Sequence, residues 1–319
     1  MLHQRLTLAC AALICAVACA APVAHAAPAS TKPLKSVGVS VGSLGNPYFV
    51  AIAKGVEARA HQLNPGVKVI AMSADYDLNK QFNQIDNFIS SHVDLIVLNA
   101  ADPKAIEPAV KRARAAGIVV VAVDVAAAGA DATVQTNNIQ AGALSCEYVA
   151  RKLNGKGNVI IENGPPVSAV LDRVNGCKAV LAKNPGIKVL SDDQDGKGSR
   201  EGGLNAMQGY LTRFPKIDAV FTINDPQAIG SDLAARQFNR RGIVIASVDG
   251  APDVEAALKS DTLIQASASQ DPWAMAQMAV NIGYDLMNGK PPSNPMVLIP
   301  SMLVTRENLP AYKGWSAPR

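Results

Sequence analysis

Four polar residues, spaced as two pairs, stand where a ligand would bind. Asn99 and Asp124 each follow a short apolar run, and Asn224 and Asp249 repeat this placement 125 positions later. Ligands of open parallel sheets bind beyond the carboxyl ends of the strands, where such residues would stand. A carboxylate accepts hydrogen bonds, and an amide both donates and accepts them. Residues of these types also cap turns, but the repeat favours binding for the two aspartates.

Residues for conventional catalysis or metal binding are not grouped in the sequence. Beyond residue 26 the only histidines are His61 and His92, which fall in separate predicted helices without the spacing of metal ligands. The Gly-Lys-Gly sequences that begin at Gly155 and Gly196 lack the rest of a phosphate-binding loop. We therefore predict a binding protein rather than an enzyme, with no cofactor and no metal.

Length and composition limit the class of protein. The chain has 319 residues, of which 49% are apolar, and this favours two domains and excludes a disordered chain. Its net charge of +4 comes from 30 basic and 26 acidic residues without a dense basic block. We infer no nucleic-acid partner from it.

The N-terminus has the pattern of a secretory signal peptide. Arg5 precedes an apolar run to Ala21, and the sequence Ala-His-Ala at 24–26 fits the cleavage rule. A membrane anchor is the alternative, but the run is shorter than the roughly 20 residues that span a bilayer; a lipoprotein cysteine at Cys19 is a weaker alternative. Cleavage would leave Cys146 and Cys177, both in predicted helices. Buried free thiols are favoured there, and one disulfide is the alternative.

An internal repeat organises the rest of the chain. Residues 64–70 match residues 184–190, and residues 117–124 resemble residues 242–249, in the same order and at nearly constant offset. Both copies alternate short apolar runs with helical patterns, which is typical of parallel strands buried on both faces. The predicted strands are Ser36–Val41, Val67–Ala71, Leu95–Leu98, Val119–Val123, Asn158–Ile161, Lys188–Leu190, Ala219–Ile223 and Val244–Val248.

Helices are predicted between these strands. The first is the best specified, because Asn46 is a natural N-cap and Pro47 suits the first helical position. The predicted helices are Pro47–Leu63, Asn79–Ser90, Pro103–Ala116, Ile139–Lys152, Val170–Lys183, Ser199–Arg213, Pro226–Arg240 and Pro272–Met287, followed by extended tail segments.

These residues resemble those of a known family. From about Val37 to Val304 the chain is similar to periplasmic sugar-binding proteins of the ribose-binding type, the receptors of ABC importers. The markers are residues 46–49 (Asn-Pro-Tyr-Phe), 123–124 (Val-Asp), Arg173 before Gly176, residues 203–208 (Gly-Leu-Asn-Ala-Met-Gln), 224–225 (Asn-Asp), 248–250 (Val-Asp-Gly) and Gln270 before Pro272. The resemblance implies an α/β fold of two similar Rossmann-like lobes with parallel sheets, joined by a three-crossing hinge (periplasmic binding protein type I).

The resemblance also implies domain bounds. The N-terminal sequence itself predicts a signal peptide over residues 1–26 and a flexible lead-in over residues 27–35. The N-terminal lobe would comprise residues 36–136 plus 271–299, and the C-terminal lobe residues 137–270 plus 300–319. Ligand binding would close the hinge between the lobes.

A ligand site between the lobes is implied as well. The family's cleft residues fall on Asn46, Tyr48, Phe49, Asp124, Arg173, Asn224, Asp249 and Gln270. Aspartates accept hydrogen bonds from sugar hydroxyls, arginine donates several, and aromatic rings cover C–H faces. Three alternatives stay open: Asn46 only caps its helix, one ring of Tyr48 and Phe49 belongs to the core, and Arg173 pairs with Asp172 or another surface acid.

Two positions depart from the family pattern. Ribose binders carry an arginine where this chain has Val125, and an aromatic residue where it has Gly198. The resemblance therefore does not extend to ribose itself. Trp273 is a candidate for a replacement ring in the cleft, and Trp315 is expected to pack in the tail.

The function implied is capture of a sugar or polyol in the periplasm by a monomer and delivery to an ABC permease and its ATPase. The alternative is a sensory ligand-binding protein that reports such a solute to a membrane receptor or kinase. A transcription regulator of this fold would need a DNA-binding segment at the N-terminus, where the predicted signal peptide stands.

Overall fold

The structure is a computed structural model and describes residues 31–315. The predicted signal peptide and residues 27–30 of the predicted lead-in lie outside the described residues. Strands and helices alternate along the chain. The strands are β1 (Ser36–Val41), β2 (Lys68–Ser73), β3 (Leu95–Leu98), β4 (Val119–Val123), β5 (Ala132–Thr136), β6 (Lys156–Glu162), β7 (Gly186–Ser191), β8 (Ala219–Thr222), β9 (Val244–Asp249), β10 (Ile264–Ser269), β11 (Met296–Ile299) and β12 (Leu303–Thr305).

The helices agree closely with the apolar periodicity of the sequence. They are α1 (Pro47–Leu63), α2 (Leu78–Ser90), α3 (Glu107–Ala115), α4 (Asn138–Lys152), α5 (Ser168–Leu181), α6 (Arg200–Arg213), α7 (Asp225–Gln237), α8 (Pro252–Lys259) and α9 (Pro272–Met287). Helix α3 begins four residues later than predicted, because the Asp102 carboxylate accepts hydrogen bonds from the backbone N–H groups of Lys104 and Ala105 and forms a turn. Strands β5 and β10 and helix α8 were not predicted.

The strands form two six-stranded sheets. The order is β11-β5-β4-β3-β1-β2 in the first sheet and β12-β10-β9-β8-β6-β7 in the second. All neighbours pair in parallel except β10 and β12, which are antiparallel. The chain passes from one sheet to the other three times, after β5, after β10 and after β11.

Both faces of each sheet are covered, as the nearly continuous apolar runs predict. In β3, Leu95 and Val97 pack into the cluster under α1 and α9, whereas Ile96 and Leu98 pack into the cluster under α2 and α3. The second sheet divides in the same way between α4 and α5 on one face and α6, α7 and α8 on the other. Within residues 31–315, no helix has both the length and the apolar character that a bilayer span requires.

Candidate functional site

The repeated polar residues all lie at the carboxyl edges of the two sheets. Asn99 and Asp124 directly follow β3 and β4, Asn224 comes two residues after β8, and Asp249 is the last residue of β9. Both aspartates have a positive φ, +68° for Asp124 and +139° for Asp249. Such angles are uncommon for residues other than glycine and concentrate at functional sites. The structure therefore marks the same two aspartates that the repeat singles out.

At the edge of the first sheet, Asp124 is held by neutral groups. The Tyr48 hydroxyl donates to its Oδ1 (2.9 Å) and the Asn99 amide donates to its Oδ2 (3.0 Å). Burial raises the pKa of Asp124, and these two hydrogen bonds together with the charge of Arg173 oppose that rise. Burial beside Asp124 also raises the pKa of Tyr48. Each oxygen of Asp124 keeps a second lone pair for a ligand hydroxyl.

Helix α1 supplies the aromatic groups of this edge. Asn46 is the N-cap, and its side chain accepts a hydrogen bond from the Tyr48 backbone N–H (2.9 Å) while staying exposed. Tyr48 and Phe49 are both buried, with ring centroids 5.4 Å apart in an edge-to-face arrangement. The Tyr48 hydroxyl contacts the Asp124 carboxylate, and the Phe49 ring contacts Tyr76.

At the edge of the second sheet, Asp249 is held by charged and amide groups. Arg173 Nη1 lies 3.4 Å from its Oδ1, and Gln270 Nε2 donates to the same oxygen at 2.8 Å. Arg173 Nε also donates to Asn138, and its Nη1 to the Ile223 carbonyl oxygen. Arg173 is 6% exposed and pairs with Asp249 rather than with Asp172.

Gln270 connects the two edges. Its Oε1 accepts a hydrogen bond from the Thr136 hydroxyl (2.8 Å) and lies 3.3 Å from the Tyr48 hydroxyl, while its Nε2 donates to Asp249. Thr136 ends β5 of the first sheet, and Gln270 follows β10 of the second. The side chains that hold the two aspartates therefore meet where the chain passes between the sheets.

A close crossing of two helices positions Arg173. A Cβ at Gly142 would lie 1.9 Å from the Arg173 carbonyl oxygen, so α4 and α5 approach to backbone contact at this point. A disulfide between Cys146 and Cys177 ties the same two helices one turn further along. The favoured expectation of free thiols is therefore wrong, because the crossing brings the two cysteine Cα atoms to 5.1 Å.

The side chain of Asn224 forms a hydrogen bond with the loop that contains Gly198. Its Oδ1 accepts a hydrogen bond from the Gln227 N–H and caps α7, while its Nδ2 donates to the Gly198 carbonyl oxygen (2.9 Å). Gly198 has a φ of +61°, which a side chain would strain. Val125 is half-buried and packs against the cluster under α2 and α3.

Two buried acids under the second edge escaped the sequence analysis. Asp225 is fully buried and accepts hydrogen bonds from the hydroxyls of Ser247 and Ser267 and from the Ala251 N–H. Burial and the nearby charge of Asp249 raise its pKa to about 8.

Glu162, at the end of β6, is also fully buried and accepts from Ser231 and Gln227. Burial raises its pKa to about 8. The sequence signal for Glu162 was its place directly after a predicted strand, and the signal for Asp225 was its place directly after Asn224.

The two tryptophans lie to one side of the aspartates. Trp315 is buried, its ring lies 5.1 Å from Tyr48, and its Nε1 donates to the Gln270 carbonyl oxygen. Trp273 lines a hollow of about 300 Å³ together with Trp315, Pro47 and Pro252. Trp315 therefore packs in the tail and also contacts two residues of the site, Tyr48 and Gln270.

One hydrolase-like pattern in the sequence lies inside a strand of the structure. Residues 38–42 fit the G-x-S-x-G pattern of hydrolases, but Ser40 is fully buried inside β1 and donates to the Gln84 side chain (2.7 Å). A nucleophile elbow instead exposes its serine on a sharp turn after a strand. Across residues 31–315, no cluster of three or more histidine, cysteine or acidic side chains could hold a metal ion.

Known proteins share the sequence features of this chain. Residues 37–291 match the periplasmic binding protein domain family. This chain belongs to that family. It is 32% identical over 259 residues to the ribose import binding protein of Bacillus subtilis, covering 80% of this chain and 82% of that protein. It is 30% identical over 286 residues to the xylitol-binding protein of Mycolicibacterium smegmatis, covering 88% of this chain and 80% of that protein.

A solved structure of a solute-binding protein has the same fold. An ABC transporter solute-binding protein of Bacillus halodurans with bound myo-inositol superposes with a TM-score of 0.78 at 28% identity, covering 89% of this chain and 98% of that chain. The predicted family and the two-lobed parallel α/β fold are confirmed. So is the predicted class of function, a solute-binding protein of the sugar and polyol importers.

Proposed function

We propose that this periplasmic binding protein captures a sugar or sugar-like polyol between its two sheets and delivers it to an ABC importer. The observation that carries the proposal is the pair of aspartates, Asp124 and Asp249, at equivalent strand ends with positive φ and linked through Gln270. The charge of Asp124 acts on Asp249, and two neighbouring acceptors suit a ligand with several hydroxyls. Ribose, xylitol and myo-inositol, the ligands named for the relatives above, are of this chemical class.

Each predicted site residue has a proposed role in this chemistry. The two aspartates accept hydrogen bonds from ligand hydroxyls, and the exposed amide of Asn46 and that of Asn224 exchange hydrogen bonds with others. Arg173 Nη2 has no hydrogen bond within residues 31–315, so it is the proposed donor of that arginine. Tyr48 and Phe49 bring aromatic surface to the C–H faces of the ligand. Gln270 fixes the side chains that hold the two aspartates where the chain passes between the sheets.

The proposed lobes follow the two sheets. The N-terminal lobe is residues 36–136 plus 271–299, and the C-terminal lobe is residues 137–270 plus 300–319, after a signal peptide (1–26) and a lead-in (27–35). Support comes from the three passages of the chain, which fall after β5, β10 and β11. A hinge of three short segments allows the lobes to close around a ligand.

We propose a periplasmic, monomeric receptor without enzymatic activity, whose partners are the permease and ATPase of an importer. Family membership supports the compartment, and the N-terminal sequence pattern supports export. Mass spectrometry of the exported protein tests this directly. We expect a chain that begins at Ala27; a chain that keeps residues 1–26 would contradict the export signal.

A thermal-shift panel tests the proposed ligand class. The purified protein, stripped of ligand, is heated with D-ribose, D-allose, xylitol and myo-inositol, each at millimolar concentration. A solute at 100 times its dissociation constant adds about 2.7 kcal/mol to the free energy of unfolding. We expect at least one member of the panel to raise the melting temperature of the wild type and not that of the Asp124→Ala, Asp249→Ala double variant. Equal shifts in both proteins would refute the site, and no shift with any sugar or polyol would refute the ligand class.

A further inference from the structure

Tyr76 is a large aromatic residue that the fold leaves open to solvent. Its side chain is 61% exposed, whereas the other five tyrosines of the chain are buried or half-buried. It lies in the four-residue loop 74–77 between β2 and α2, at the carboxyl edge of the first sheet. This is the edge that also carries Asp124. The exposed ring of Tyr76 is therefore accessible to a ligand at this edge.

The loop holds Tyr76 in an unfavourable backbone conformation. Asp75 and Tyr76 have φ of +52° and +58°, a region that bulky residues rarely adopt. Several contacts hold this conformation: the Tyr76 N–H donates to the Gly42 carbonyl oxygen (3.1 Å), the Asp77 N–H donates to the Ala74 carbonyl oxygen (2.9 Å), and the Asp75 carboxylate accepts from the Ser73 hydroxyl and pairs with Lys80. Asparagine or glycine would fit this backbone better. A ring at this position therefore costs stability, which points to a role outside folding.

The Tyr76 ring lies on the backbone that supports Asp124. A Cβ at Gly42 would come within 2.7 Å of Tyr76 Cε1 and 3.1 Å of Phe49 Cε2, so both rings rest over this glycine. The Gly42 N–H donates to the Asn99 side chain, and Asn99 in turn donates to Asp124. The ring centroids of Tyr76 and Phe49 are 6.2 Å apart. Partial burial raises the pKa of Tyr76, a hydrogen bond with the Asn46 side chain opposes the rise, and the charge of Asp124 adds to it.

The strand order places Tyr76 at the open end of the cleft. The three passages between the sheets follow β5, β10 and β11, which lie together at one end of the two sheets. Strands β2 and β7 are the edge strands at the opposite end. Tyr76 follows β2, and Gly198 belongs to the loop after β7. The second sheet therefore offers no side chain at Gly198, whereas the first sheet offers an exposed ring.

We propose that Tyr76 contacts the ligand and covers an apolar C–H face of the sugar or polyol at the mouth of the cleft. The inference rests on the proposed function. Aromatic rings suit such faces, because they bury C–H groups without demanding hydrogen bonds. Tyr76 then supplies the ring wall that Gly198 does not, from the opposite side of the site. A site with such a ring favours sugars and cyclitols, which present a continuous C–H face, over small linear polyols.

Calorimetric titration of two variants tests the proposal. Tyr76→Asn removes the ring and keeps a residue that tolerates positive φ, and Tyr76→Phe keeps the ring. The matched control is Phe238→Ala, which removes an exposed ring at the C-terminus of α7, away from the carboxyl edge. With the best ligand of the panel, we expect Tyr76→Asn to raise the dissociation constant about tenfold, which corresponds to about 1.4 kcal/mol. We expect Tyr76→Phe and Phe238→Ala to change it less than twofold.

The melting temperature separates a ligand contact from a structural role. We expect ligand-free Tyr76→Asn to melt at or above the wild-type temperature, because the strained backbone is relieved. If the variant melts lower and binds normally, the ring serves the fold and the inference is wrong. If the wild type binds no sugar or polyol, the proposed function fails instead. Wild-type binding that Tyr76→Asn leaves unchanged overturns only the role of Tyr76.

Chemical modification gives a second, independent readout. Because Tyr76 is the most exposed tyrosine, nitration of tyrosines followed by peptide mass spectrometry should modify it first. We expect a saturating ligand to reduce nitration of Tyr76 at least severalfold. Nitration that proceeds equally with and without ligand would contradict contact with the ligand.

Discussion

At the edge of the first sheet the aspartate contacts a tyrosine and an amide, whereas at the edge of the second sheet it contacts an arginine and an amide. Asp124 contacts Tyr48 and Asn99. Asp249 contacts Arg173 and Gln270, and Asp225 is buried beside it. The two edges have an equivalent strand order, and each aspartate has a positive φ. A duplicated scaffold therefore carries two different chemistries.

This difference suits a ligand with two kinds of surface. A sugar or cyclitol has C–H faces, which pack on aromatic rings, and hydroxyl edges, which pair with charged and amide groups. The first edge offers Tyr48, Phe49 and Tyr76, and the second offers Arg173, Asn224 and Asp249. The second edge is also braced more firmly, because a disulfide joins the two helices that hold Arg173. We expect the second edge to be the more rigid half of the site.

The largest expected effect concerns that brace. Replacing both Cys146 and Cys177 by alanine removes a cross-link over 31 positions. The chain-entropy model gives a loss of about 3–4 kcal/mol in the free energy of unfolding for a loop of this length. We also expect weaker ligand binding, because Arg173 lies one helical turn from Cys177. Denaturant unfolding and calorimetry measure the two effects. A free energy of unfolding equal to that of the wild type would show that the disulfide does not stabilise the fold.

The next effect concerns the aspartates themselves. Asp124→Ala and Asp249→Ala should each weaken ligand binding by roughly tenfold to a hundredfold, since a charged hydrogen-bond partner contributes about 1.5–3 kcal/mol. Only Asp249→Ala should also lower the free energy of unfolding, by on the order of 3 kcal/mol, because it leaves the buried Arg173 without its partner. Asp253→Ala, at an exposed acid, is the control. Identical stability losses in the two variants would mean that the edges do not differ as described.

A pH series tests the buried acids of the second edge. Burial raises the pKa of Glu162 to about 8. The folded protein therefore holds a proton that the unfolded chain has lost, and the stability from this group, present below the unfolded pKa, is lost as the pH rises through 8. Glu162→Gln lacks this dependence. We expect the free energy of unfolding of this variant, relative to that of the wild type, to increase from pH 5 to pH 8.5. Denaturant unfolding measures it, and Glu147→Gln, at an exposed acid, is the control. Parallel curves would count against a protonated Glu162.

The smallest effect concerns ligand choice. The site has no arginine at Val125 and no ring at Gly198. We expect D-ribose to bind about tenfold more weakly than the best hexose, deoxysugar or polyol, since an unpaired hydroxyl costs about 1–3 kcal/mol. A titration series on the ligand-stripped protein measures this. Submicromolar affinity for ribose, with every other solute weaker, would show that these two positions were misread.

Much of the fold could be predicted, because the apolar runs of parallel strands are short and unambiguous. The bounds of β1, β3, β4, α1 and α9 agree with the sequence prediction. Strands β5 and β10 were missed, since Ala132–Thr136 and Ile264–Ser269 mix apolar residues with small and polar ones. Helix α8 has only eight residues, too few for a clear period.

The parts of the site that were missed depend on contacts distant in sequence. The disulfide needs the close crossing of α4 and α5 at Gly142, which no spacing reveals. Asp225 is buried because Ser247 and Ser267 come from two neighbouring strands. Tyr76 stands in a polar loop where its sequence gives no period. The repeat, by contrast, made Asp124 and Asp249 visible without any structure.

Small-angle scattering of the exported protein, with and without the tightest-binding solute, tests the central claim most directly. If the ligand binds between the two sheet edges and bridges Asp124 and Asp249, the lobes close on it. We predict a smaller radius of gyration in the presence of saturating ligand and an unchanged molecular mass. The Asp124→Ala, Asp249→Ala double variant should show no such change. An identical radius of gyration for the wild type in both states would contradict a site between the lobes.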